Sequence, residues 1–101
     1  MYNEENIKGV NMRVLNQPID VICKFLAGEK DPIPVKFQFT QEDGSKTVIN
    51  IDEIQKIVHD PPASNHIITY RCVSYQEDRQ IVYDIRFWVS SLKWDLYSII
   101  A

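Results

Sequence analysis

Lys36, Arg71 and Arg86 stand at outward positions of alternating apolar and polar segments, and Trp88 follows Arg86 on the same side of its strand. Cations interleaved with an aromatic ring suit single-stranded nucleic acid, where they meet phosphates while the ring stacks on a base. The same residues have a structural reading. Long basic side chains cover sheet surface and pair with acids on neighbouring strands, and Asp84 and Asp95 are placed to neutralise them. A nucleic-acid face requires all four side chains on one concave surface free of those two carboxylates.

A second cluster is apolar. Phe87, Trp88, Trp94, Leu96, Tyr97, Ile99 and Ile100 fall within fourteen residues. Neighbours along a strand point to opposite faces, so one sheet face cannot bury all of them. Trp88, Trp94, Tyr97 and Ile99 therefore form a candidate interaction surface for a protein partner, in its simplest version a second copy of the chain. Closure of the fold against the N-terminal segment would bury the same residues.

Other reactive groups have plainer roles. Cys23 and Cys72 fall on inward strand positions and are expected as two core thiols, with a cross-strand disulfide as the alternative in an oxidising compartment. His59 and His66 flank a Pro-Pro loop, but neither a CxxC nor an HxxxH spacing occurs, so no metal site is expected. Ser90-Ser91 suits a turn, and Glu42-Asp43, Asp52-Glu53 and Glu77-Asp78 occupy expected turns or bends. With three Gly in all, no phosphate-binding glycine loop is present. No catalytic residue, cofactor or metal is expected, and the domain reads as non-catalytic.

The elements that must position these groups are strands. The 101 residues carry 11 Lys+Arg against 14 Asp+Glu, a net charge of −3, with 45% hydrophobic residues. That composition fits one small globular domain and gives no global argument for nucleic acid or an anionic membrane. No apolar run is long enough to span a bilayer, and the polar start MYNEENIKGV lacks the basic and apolar regions of a signal peptide. A cytoplasmic, reduced setting is the expectation.

Residues 1–11 read as a flexible N-terminal extension and 12–101 as a single β domain. Ile19, Val21, Cys23 and Phe25 alternate with polar or outward positions; a helix over 19–26 competes, with Pro18 at its start and Gly28 at its end. Val35, Phe37 and Phe39 mark a half-buried strand, and Asp43-Gly44 a hairpin turn. From Val48 to Val58 the apolar phase changes, which requires either a bend near Asp52-Glu53 or a short helical turn over 52–59. Ile68, Tyr70 and Cys72 alternate next, followed by the longest row, Ile81, Tyr83, Ile85, Phe87 and Val89. Trp94 and Leu96 close the last strand. About six strands with short polar connections predict an all-β antiparallel meander, bent or closed into an SH3-like barrel.

The stretches MRVLNQPIDVI, PIPVKFQF, INIDEI, YRCVS and YDIRFWVSSLKWDLYSI resemble a family of small uncharacterised all-β proteins from clostridia-type bacteria. The resemblance covers most of residues 12–100. It implies a bacterial cytoplasmic β domain and carries no catalytic or ligand signature.

Overall fold

Alternation of apolar residues at period two runs through most of the chain, and the computed structural model turns nearly all of it into strands. It describes residues 3–7, 10–60 and 66–100. The strands are β1 (Asn3–Ile7), β2 (Val10–Lys24), β3 (Ile33–Thr40), β4 (Lys46–Asn50), β5 (Glu53–Asp60), β6 (Ile67–Gln76), β7 (Arg79–Trp88) and β8 (Lys93–Ile100). Every pairing is antiparallel. The sheet order is β4-β3-β2-β8-β7-β6-β5, with β1 paired to β2 off this path. All neighbours along it are consecutive in sequence except β2 and β8, so the topology is the expected meander closed back on its first long strand.

The sheet curls because β2 serves two partners. Its first part pairs with β8 as far as Ile19↔Trp94, and from Asp20↔Gln38 onward it pairs with β3. Pro18, which has no N–H to give a ladder, lies just before this changeover. The helical alternative over 19–26 is not realised, and Phe25, expected inward, lies beyond the strand end and is exposed.

The phase change after Val48 is a corner. Ile51 N–H donates to Val35 O at 3.0 Å and Asp52 N–H to Val73 O at 2.9 Å, so the chain steps from one end of the sheet to the other. The Asp52 carboxylate accepts the Tyr75 N–H at 2.8 Å, and Ser74 Oγ donates to Asn50 O at 2.6 Å. Residues 53–60 then run as strand with a register shift between Ile54 and Lys56, and no residue of 52–59 is helical.

Among the described residues, eight strands replace the expected six because the 46–60 stretch divides at this corner and because Asn3–Ile7 pairs with Val10–Val14. The outcome is a bent sheet, a curled half-barrel whose end strands β4 and β5 share no ladder.

The concave side holds the core: Ile19, Phe37, Ile49, Ile68, Tyr70, Cys72, Tyr83, Ile85, Phe87 and Leu96. Val35 is an exception to its alternating row. A register shift pairs Ile22 with Lys36 and Cys23 with Pro34, leaving Val35 without a partner on β2 and exposed. The β2–β3 connection is tied across one end of the curl: Tyr70 Oη donates to Pro32 O at 2.5 Å, and His59 Nε2 meets Asp31 Oδ2 at 2.7 Å.

Candidate interaction face

The convex side of β6, β7 and β8 carries the charged and aromatic residues. Arg71 and Asp84 are direct cross-strand partners between β6 and β7, joined at 2.8 and 3.0 Å. One strand over, Arg86 and Asp95 pair between β7 and β8 at 3.1 and 3.2 Å. Both contacts are forked, which fixes the guanidinium plane as well as its charge. Asp84 raises the Arg71 pKa further by its hydrogen bonds.

A bulge sets what surrounds Arg86. Asp84 pairs with Ser98 and Ile85 with Leu96, so Tyr97 is an extra residue in β8. Opposite it, Val14 pairs with Ser98 and Gln17 with Leu96, leaving Leu15 and Asn16 between. Asn16 adopts φ 50°, a conformation open to Asn at low cost. Its Oδ1 accepts from Arg86 Nη2 at 3.0 Å. The Arg86 guanidinium lies 4.0 Å from the Tyr97 ring centroid and 5.1 Å from that of Trp88, and Trp88 Nε1 donates to Asp95 Oδ2 at 2.8 Å. Two carbonyl-type acceptors and two rings thus hold one cation.

The interaction surface expected from sequence narrows. Trp94 faces the concave side, stacked 4.6 Å from Phe87 and 5.6 Å from Tyr70, because it is the cross-strand partner of inward Phe87. Ile99 also packs on the core, since the bulge at Tyr97 shifts the inward phase from even to odd numbers. Trp88 and Tyr97 remain on the convex face. Beside them a shallow depression of about 840 Å³ is bounded by Trp88, Asp95, Pro18, Asp20, Gln38 and exposed Leu92.

The four residues considered for nucleic acid do not meet the stated condition. Arg71 and Arg86 are each matched by a carboxylate, and those carboxylates are Asp84 and Asp95. Lys36 sits on β3, separated from β7 by β2 and β8, in a different depression with Ile22 and Val48.

Elsewhere, Cys72 is fully buried and Cys23 half-buried, both as free thiols. Burial pushes the Cys72 thiol up to about 12 and that of Cys23 up as well. His59 and His66 do approach, with ring centroids 5.4 Å apart, yet among the described residues no group of three His, Cys, Asp or Glu could hold a metal ion. Ser90 and Ser91 lie in the β7–β8 turn, and residues 61–65 of the Pro-Pro loop are outside the described residues. Asn16 was missed from sequence; a polar residue two before Pro18, within an otherwise strand-like stretch, is the signal that marks it. Compared with protein-family models, curated proteins and solved structures, the chain matches none.

Proposed function

We propose that the domain is a non-catalytic interaction module, a half-barrel of SH3-like kind, that binds a protein partner through the convex face of β7 and β8. The observation that carries this is the fixed Arg86 cluster. Trp, Tyr and Arg are the residues that dominate protein interfaces. Here the guanidinium is already immobilised between Tyr97 and Trp88 by Asp95 and Asn16. A side chain ordered before contact loses little further entropy on binding. Exposed Leu92, at the tip of the same hairpin, adds apolar area next to the depression.

The occupant proposed is a second copy of the chain. A reduced, cytoplasmic setting fits the two free thiols. Sedimentation velocity of the wild type and of Trp88→Ala over a hundredfold concentration range tests the reading. A wild-type dimer that Trp88→Ala converts to monomer supports it; a wild type that stays monomeric throughout overturns self-association.

A further inference from the structure

At the end of the half-barrel opposite the Tyr70–Pro32 tie, the concave side is not filled. A cavity of about 260 Å³ opens there between β3–β4 and β6–β8, walled by Phe37, Ile49, Leu96 and Ile99. Gln41 and Thr47, hydrogen-bonded to each other, stand at its edge. Its volume lies just below the roughly 300–1,000 Å³ of sites for drug-sized ligands, and barrel mouths are a recurrent place for such sites.

Two polar groups among the apolar walls belong to Ser74 and Tyr83, which are 1% and 2% exposed. Their protons can be counted. Ser74 Oγ lies 2.6 Å from Asn50 O, and a carbonyl cannot donate, so the single hydroxyl proton of Ser74 is used there. The 2.6 Å contact between Ser74 Oγ and Tyr83 Oη must then be filled by the phenol proton. Tyr83 Oη is left with lone pairs and no proton. Its ring is held by Phe37, edge-on at 5.5 Å, so the oxygen is fixed in place. Burial raises the Tyr83 pKa well above its ordinary value, which keeps the phenol proton on through the neutral range.

We infer that this cavity is a binding site for a small neutral molecule with an apolar body and one hydrogen-bond donor, which Tyr83 Oη accepts. A purely apolar guest of the same shape enters but leaves that lone pair unused. At this pair a guest carrying only an acceptor gains nothing over the apolar one, because neither Ser74 nor Tyr83 has a proton to offer; the donors of Gln41, Thr47 and Gln76 belong to other parts of the lining.

Three related aromatic probes separate these cases: 4-methylphenol, toluene and 4-methylanisole, titrated into ¹³C-methyl-labelled protein and followed by NMR. Saturable shifts are expected at the methyls of Ile49, Ile81, Leu96 and Ile99, with those of Val58 unmoved. The phenol should bind about fivefold tighter than toluene, as one net hydrogen bond provides, and 4-methylanisole no tighter than toluene. Tyr83→Phe should remove the preference for the phenol and keep the binding of toluene. If the cavity methyls do not respond to any probe, the site is refuted. Equal affinity of the phenol and toluene for the wild type refutes the acceptor assignment, and that comparison stands whether or not Tyr83→Phe folds.

Discussion

Asp95 accepts hydrogen bonds from two residues of β7 at once, from Arg86 through both carboxylate oxygens and from Trp88 Nε1 through Oδ2. The arginine and the tryptophan are two positions apart on one strand and point the same way, so a single carboxylate on the neighbouring strand fixes both. Side-chain exposure is 20% for Arg86 and 16% for Asp95, which places the pair between a solvated surface bridge and a buried one.

Removing that carboxylate should therefore cost more than a surface substitution. Asp95→Ala is expected to destabilise by about 2 kcal/mol, because Arg86 keeps only Asn16 and the two rings. Asp95→Asn leaves Trp88 an acceptor and should cost about half as much. Urea midpoints at neutral pH measure both; identical losses for the two variants would show that the acceptor kept for Trp88 contributes nothing, and an unchanged Asp95→Asn would show that the charge contributes nothing.

The second pair is asymmetric, and its variants should be too. Asp84 has 10% side-chain exposure and Arg71 39%. Arg71→Ala strands a buried carboxylate, whereas Asp84→Ala leaves a guanidinium able to turn to water. Arg71→Ala should cost about 3 kcal/mol and Asp84→Ala about 2. Replacing both, Arg71→Met with Asp84→Leu, should come within about 1 kcal/mol of the wild type. A double variant less stable than either single one would contradict this account.

How much of this was legible in the sequence follows from what sets each feature. Phe37 and Phe39, or Ile81, Tyr83, Ile85 and Phe87, face the concave side as alternation requires, because a half-buried strand has only that way to arrange them. The phase break between Ile51 and Ile54 was visible, but not that the chain there crosses from one end of the sheet to the other; that depends on hydrogen bonds to Val35 and Val73, far along the chain. The bulges at Val35 and Tyr97 were not legible. An inserted residue reverses the inward phase without any change in composition, which is why Val35 turned outward and Ile99 inward. Asp84 and Asp95 were readable as neutralising partners because cross-strand pairing is local in a meander. The Ser74–Tyr83–Asn50 chain was not, since Asn50 reaches Ser74 only through the corner.

Asn16 combines two roles that substitution can separate. Its φ of 50° suits Gly as well as Asn, while its side chain holds Arg86. Asn16→Gly should lose the hydrogen bond but not the backbone conformation, at about 1 kcal/mol. Asn16→Val loses both, since a β-branched residue is strained at positive φ, and should cost roughly 2–3 kcal/mol. Thermal or urea unfolding distinguishes them; equal stability of the Gly and Val variants would mean that the bulge relaxes.

Three ionisable groups on the concave side make the fold sensitive to alkali. Burial raises the Cys72 thiol to about 12 and lifts the phenols of Tyr70 and Tyr83 above their ordinary range. The unfolded chain gives up these protons first, its thiol near 9 and its phenols near 10. Between those values and the higher folded ones, the unfolded state binds fewer protons than the folded state, so stability falls as pH rises. The contribution is fully present below pH 9 and is lost above it, each group adding a slope of about 1.4 kcal/mol per pH unit once the unfolded form is ionised. Urea midpoints measured from pH 7 to pH 11 should be level up to about pH 9 on account of these groups and then decline. Cys72→Ala should remove most of the decline that begins near 9, the raised Cys23 thiol leaving the rest, and Tyr83→Phe one proton's share above 10. Midpoints that stay level from pH 9 to 11 in the wild type would show that these groups reach solvent before they ionise.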